Sequence, residues 1–144
     1  MNKILFISLC LFLGLQVRGQ SLSVKQLANL LDDNDKTAVL RSHSFSSLGL
    51  AESDKGVSQR FTKNTGTGKQ EAITITANSI SYLTRNKTFI TNLLTQLQHQ
   101  YKQTLKDDSS DFIYYLFTAG KGKNISINIS KTGAGLYSLQ VNQK

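Results

Sequence analysis

Apolar residues recur at two different spacings along the chain, and these predict separate helical and extended segments. Spacings of three and four positions, typical of a helix buried on one side, occur in three places. The first helix is centred on Leu27, and the second starts at 36, where Asp35 can cap it. Asn86 or Thr88 can cap the longest helix. Its apolar stripe comprises Ile90, Leu93, Leu94, Leu97, Tyr101 and Leu105.

Alternation of apolar and polar residues, together with one short continuous apolar run, predicts six strands. They span 57–63, 71–77, 80–85, 112–118, 124–130 and 136–142. Segment 112–118 is almost continuously apolar, which predicts that both of its faces are covered.

The two halves of the chain repeat an order of residues that includes polar as well as apolar positions. The matched segments are 29–31 with 92–94, Phe61-Thr62 with Phe117-Thr118, and 73–76 with 127–130. Such recurrence predicts two tandem α-β-β-β units, 20–86 and 87–144. The expected fold is α+β, an antiparallel sheet with helices packed on one face.

The N-terminal segment 1–19 has the three parts of a cleavable signal peptide: a positive charge at Lys3, a short apolar run, and a cleavage site preceded by the small or medium-sized residues Val17-Arg18-Gly19. The run is too short to span a bilayer comfortably. The mature chain is therefore expected to be one domain, 20–144, exported to the periplasm or secreted. No transmembrane segment is expected after cleavage.

Charge changes this interpretation little. The chain has 17 Lys+Arg and 9 Asp+Glu, a formal net charge of +8, without a run of five like charges. Dispersed positive charge favours solubility, and it would also favour an acidic partner or an anionic envelope component.

Catalytic and metal chemistry find little support in the sequence. The only cysteine, Cys10, leaves with the signal peptide. His43 lies near a predicted helix end, and His99 lies on the polar side of the longest helix. The aspartates at 32–35 and 107–111 fall at junctions between elements, where Asp caps helices and forms turns. The sequence predicts no catalytic residue, no metal site and no cofactor.

Two Gly-Lys loops, 66–69 and 120–123, superficially resemble phosphate-binding loops. Neither has Ser or Thr after its lysine, and both join strands instead of opening a helix. They are interpreted as hairpin turns. Export and core packing of 112–118 argue against a nucleic-acid partner.

This layout resembles small exported proteins common in Bacteroidota, mostly uncharacterised and built from tandem helix-plus-three-strand units. The matching features are the signal peptide, the early Leu30-Leu31 helix and the later helix stripe before the final hairpin. The tandem arrangement also resembles β-lactamase inhibitory proteins, although those carry disulfides that the mature chain lacks. The resemblance implies no catalytic residue.

A non-enzymatic binding protein is therefore the predicted function class. A secreted inhibitor or immunity-type protein, or an enzyme with an unrecognised site, is the alternative. The polar residues that alternate with the isoleucines of 124–130 should form the binding row. Tyr114 or Tyr115 should lie beside it, with Lys121 and Lys123 at one end and Lys131 at the other.

Overall fold

The computed structural model describes residues 22–53, 56–65, 69–132 and 135–143. The predicted signal peptide, 1–19, lies outside these ranges. Among the described residues, no helix is both long and apolar enough to cross a membrane.

Within the described ranges, three helices form where the apolar spacing predicts them: α1 (Val24–Leu30), α2 (Lys36–Ser42) and α3 (Lys87–Gln100). Side-chain oxygens cap all three N-termini and satisfy main-chain N–H groups that have no partner within the helix. The Asp35 carboxylate accepts a hydrogen bond from the Ala38 N–H at 2.9 Å. At α3 the cap is Asn86, whose Oδ1 accepts from the Phe89 N–H at 3.1 Å.

The described part of the chain contains eight strands in one sheet, in which every pair of neighbours is antiparallel. They are β1 (Ser46–Ser53), β2 (Gly56–Thr65), β3 (Lys69–Ile75), β4 (Ser79–Thr84), β5 (Lys102–Asp108), β6 (Phe112–Thr118), β7 (Lys123–Ser130) and β8 (Tyr137–Gln143). Their order across the sheet is β1-β2-β3-β4-β8-β7-β6-β5. Each half of the chain thus forms a four-stranded meander, and β4 and β8 join the halves at the centre.

The two outermost strands correct the predicted count of six. The sequence interpretation continued the last helix to Leu105, but α3 ends at Gln100 and Tyr101 is already extended, with φ −134° and ψ 154°. Leu105 fits the helical stripe by spacing alone, and it pairs instead with Leu116 in β6. Edge strand β1 has no regular alternation in its sequence, and its pairing with β2 defines it. Such pairing is a tertiary property that periodicity does not encode.

Side chains on alternate strand positions point to two different faces of the sheet. The core face has a continuous cross-strand row of buried residues that pair directly from strand to strand. This row is Phe61, Ile73, Tyr82, Leu139, Ile127 and Tyr115. Buried residues of all three helices, among them Leu27, Leu40 and Leu93, belong to the same hydrophobic cluster. The structure therefore confirms an α+β fold built on an antiparallel sheet.

Candidate functional site: the polar face and its pocket

The opposite face of the sheet is polar and largely uncharged, and it is called the polar face below. Two of its cross-strand rows are Leu116, Ser126, Gln140, Ser81 and Thr74, and Tyr114, Asn128, Ser138, Leu83 and Ala72. On four consecutive strands, β4, β8, β7 and β6, no described residue of this face carries a charge. Hydroxyls and amides on a β-sheet both donate and accept hydrogen bonds, so this face suits a neutral polar ligand.

Apolar side chains interrupt the polar face toward the β6 side. Tyr114 and Leu116 lie on this face and are half-buried, while Phe112 is 39% exposed. The prediction that both faces of 112–118 are covered is therefore only partly met, because Phe112 remains accessible to solvent. Beside them, Leu105 of β5 pairs with Leu116 and is 49% exposed. Aromatic and aliphatic groups of this kind supply contact area for a ligand.

A pocket of about 220 Å³ lies where β4 and β7 end and β6 and β8 begin. Its apolar lining comes from Leu83, Phe112, Leu136 and Tyr137, and its polar lining from Asp111, Asn128, Ser130, Thr132 and Ser138. The sheet register explains this assembly, because Leu83 pairs with Ser138 and Ser138 pairs with Asn128. Apolar walls with a few convergent polar groups are typical of ligand sites.

Asn128 is the unusual member of this lining. Its Oδ1 is shielded from water and accepts no hydrogen bond from the residues that the structure describes. An unpaired buried acceptor costs about 1–3 kcal/mol, so such atoms are uncommon in the absence of a ligand. Asn128 therefore lines the pocket with its amide, and its Oδ1 becomes accessible to a ligand only when the amide turns toward the pocket.

The sequence predicts that either Tyr114 or Tyr115 lies beside the binding row, and the structure places these two tyrosines on different faces of the sheet. Tyr114 pairs with Asn128 and lies on the polar face beside the predicted row. Tyr115 pairs with Ile127 and is buried on the core face, where its ring stacks on that of Phe117 at 6.4 Å. Tyr114 is thus the tyrosine that a ligand on the polar face can reach.

The three lysines are also placed differently from one another. Lys123 is 5% exposed and points to the core face. Its Nζ donates to the Ala28 main-chain oxygen at 2.9 Å and forms an ion pair with Asp32 at 2.5 Å. Lys131 forms an ion pair with Asp108 and donates to the Ser109 main-chain oxygen. Lys121 is exposed in the β6–β7 turn, with a positive φ of 49°.

The two ion pairs also change the pKa of the aspartates that they contain. The hydrogen bond from Lys123 lowers the pKa of Asp32, and that from Lys131 lowers the pKa of Asp108, each below its ordinary value. Both carboxylates therefore stay ionised to lower pH than free aspartate.

The histidines and remaining aspartates do not converge on a site. His43 caps the C-terminus of α2, and its Nε2 lies 3.2 Å from the Gln26 amide nitrogen. His99 is exposed in the last turn of α3. Across the described ranges, no group of three or more His, Cys, Asp or Glu side chains is arranged to hold a metal ion.

A second group of unusual polar residues lies on the core face, and sequence reasoning missed it. Glu71 pairs with Lys63 and is 2% exposed, and its Oε2 has no hydrogen-bond partner among the described residues. Burial, together with the nearby Glu71 charge, raises the pKa of Tyr82 far above its ordinary value. Lys63 Nζ lies 5.5 Å from the centre of the Phe45 ring. Because these residues lie within the core, they contribute to packing and electrostatics and are not placed to contact a ligand.

Comparison with protein-family models, with curated protein sequences and with solved structures found no match for this chain. The proposals below therefore rest on its own residues.

Proposed function

We propose that this chain is an exported, non-enzymatic binding protein that contacts its ligand with the polar face of the sheet. The observation that carries the proposal is the pocket of about 220 Å³ on that face, where Asn128 holds an unpaired acceptor. The pocket is built largely on paired strands, and sites on regular elements hold their geometry better than sites on loops.

We further propose that the helices cover only the core face. Buried side chains of α1 and α3 share one cluster with the core-face row, and the Val24 N–H donates to the Gln96 side-chain oxygen at 3.3 Å. Polar-face side chains on the central strands are mostly half-buried or exposed. An antiparallel sheet with one covered face leaves the other available to solvent or to a partner.

The two halves of the sheet are proposed to be tandem copies of one helix-plus-strands unit. Both halves contain four antiparallel strands, and each edge strand has a bulge opposite a phenylalanine. These phenylalanines, Phe61 and Phe117, are the pair that the sequence comparison matches. The equivalent placement of the two bulges supports duplication, together with the sequence matches. Bulges also protect the edges of a sheet from pairing with another chain.

Positive charge is a secondary feature of the proposed ligand surface. The sequence grouped three lysines with the binding row, but Lys123 is buried and Lys131 is paired with Asp108. Lys121 is exposed in the turn that joins the end of β6 to the start of β7, at the opposite end of these strands from the pocket, and no ion pair involves it among the described residues. It can steer an anionic envelope component or an acidic exported protein toward this end of the sheet.

Export is tested by N-terminal sequencing of the protein recovered outside the cytoplasm. We expect Gln20 to be the first residue, because 1–19 has the pattern of a cleavable signal. Recovery of a chain that still begins at Met1 would contradict cleavage.

Binding by the polar face is tested with two matched glutamine-to-lysine variants of the mature chain. Gln140 is exposed at the centre of the polar face, and Gln98 is exposed on α3. Immobilised wild-type protein is used to capture envelope components from the source organism, which mass spectrometry then identifies. Each purified component is measured against Gln140→Lys and Gln98→Lys by biolayer interferometry.

We expect a specific component to bind wild type and Gln98→Lys equally and to bind Gln140→Lys at least about tenfold more weakly, a difference of about 1.4 kcal/mol. Equal binding to all three proteins would place the contact surface elsewhere. Turnover of a captured component by the wild-type chain would contradict the non-enzymatic assignment.

A further inference from the structure

The pocket on the polar face restricts the chemistry of what it can hold. Its volume of about 220 Å³ is below the size of most drug-like ligand sites, which start at roughly 300 Å³. An engineered cavity of about 150 Å³ accommodates a benzene ring. The pocket therefore has room for one six-membered ring with substituents, either a free molecule or the terminal unit of a polymer.

Its walls present two different kinds of surface to that ring. Leu83, Phe112 and Leu136 supply apolar contact, and Phe112 and Leu136 remain partly exposed in the free protein. Asn128, Ser130 and Ser138 supply amide and hydroxyl groups. A ligand that matches both has a face of C–H groups and a rim of hydroxyls.

The charges around the pocket disfavour an anion. Asp111 is the one charged residue among the described lining residues, and its side chain is exposed. A carboxylate accepts hydrogen bonds from hydroxyls and repels other carboxylates and phosphates. The unpaired Oδ1 of Asn128 likewise needs a donor, which a ligand hydroxyl would supply once the amide turns toward the pocket.

We propose that the pocket binds a neutral saccharide, with one pyranose ring seated between the apolar wall and the Asn128 amide. This inference rests on the proposed binding role of the polar face and names the ligand class for it. The C–H face of the ring packs on Phe112 and Leu136, and its hydroxyls donate to Asn128 Oδ1 and Asp111. Neighbouring sugar units would extend over the uncharged hydroxyls and amides of the central strands.

The test uses nuclear magnetic resonance titration of the isotope-labelled mature chain. The probes are the methyl glycosides of glucose, galactose, mannose and N-acetylglucosamine, with methyl glucuronide as an anionic counterpart. We expect at least one neutral glycoside to shift the amide signals of pocket residues such as Ser130 and Ser138. Methyl glucuronide should bind more weakly than methyl glucoside.

Asn128→Ala and Asn124→Ala form a matched pair of variants. Both asparagines lie on β7 with side chains on the polar face, but only Asn128 is among the described residues lining this pocket. Loss of the Asn128 amide should weaken glycoside binding about tenfold, whereas Asn124→Ala should leave it unchanged. Thermal unfolding of each variant verifies that it is folded.

If no neutral glycoside shifts the pocket signals, the saccharide assignment is wrong. Glycoside binding that Asn128→Ala and Asn124→Ala weaken equally, or that shifts signals outside the pocket, overturns the assignment of the site. These outcomes are separable from the proposed function, since Gln140→Lys can still lose an envelope component that is not a saccharide.

Discussion

The ammonium group of Lys123 donates a hydrogen bond to the main-chain oxygen of Ala28, a residue 95 positions earlier in the chain. This contact joins the start of β7 to α1, and the same ammonium forms an ion pair with Asp32 beyond the end of that helix. The last carbonyls of a helix lack partners within it and carry partial negative charge. Lys123 thus stabilises the attachment of a helix from the first half of the chain to a strand from the second.

Replacing Lys123 with glutamine should therefore destabilise the fold, contrary to what its place beside an exposed turn suggests. The shorter side chain leaves the Ala28 oxygen without this donor, so we expect the free energy of unfolding to fall by about 1–3 kcal/mol. Urea denaturation measures the change. Lys121→Gln is the matched control, because Lys121 lies exposed in the same turn and should be neutral. Equal stability of the two variants would mean that the buried contact contributes nothing.

The Asp32–Lys123 pair predicts a loss of stability in acid. The hydrogen bond from Lys123 lowers the pKa of Asp32 in the folded protein. The stabilisation is fully present above the unfolded pKa of about 4 and is lost as pH falls through the lower folded pKa. Urea unfolding between neutral pH and about pH 2 should show that Asp32→Asn reduces this acid dependence. In a Lys123→Gln background, the same Asp32→Asn change should have little further effect on it. An undiminished effect there would assign the acid dependence to another partner of Asp32.

At alkaline pH, the buried hydroxyl of Tyr82 should limit stability. Burial and the Glu71 charge raise the pKa of Tyr82 in the fold, so unfolding releases a proton above the ordinary tyrosine pKa of about 10. Stability is therefore retained below that pH and lost progressively above it. Tyr82→Phe should flatten the alkaline decline of the unfolding free energy, measured by denaturant titration. Tyr114→Phe, on the polar face, is the control, and an equal effect from it would contradict the role of burial.

Leu93 and Leu105 test where α3 ends. Both fit one helical stripe in the sequence, but Leu93 is fully buried while Leu105 lies largely exposed in edge strand β5. Leu93→Ala should cost about 2–5 kcal/mol of unfolding free energy, as expected for a buried leucine. Leu105→Ala should cost clearly less, because about half of Leu105 is already exposed to solvent in the edge strand. Comparable losses in the two variants would indicate that Leu105 is buried as the helical stripe implied.

Local sequence was sufficient for the elements whose stability is mainly local. The cap Asp35 marks the start of α2, and Asn86 is the one of two predicted caps that begins α3, because each side chain bonds an N–H group only three residues ahead. A continuous apolar run located β6, and alternation located β7 and β8 nearly to the residue, since a shift of an alternating strand by one residue would expose its buried face. The apolar composition of these strands follows from the same need to bury one face.

Only the tertiary structure shows which segments form the edge strands of the sheet and which residues line the pocket. β1 and β5 exist because β2 and β6 offer hydrogen-bonding edges, a condition that no periodicity in 46–53 or 102–108 records. The pocket brings Leu83 beside Asn128 through the intervening strand β8, so their proximity depends on the pairing of the two halves. The burial of Lys123 likewise depends on where α1 packs. Sequence therefore determined which residues prefer the core, whereas strand register and helix docking determined which polar groups line the pocket.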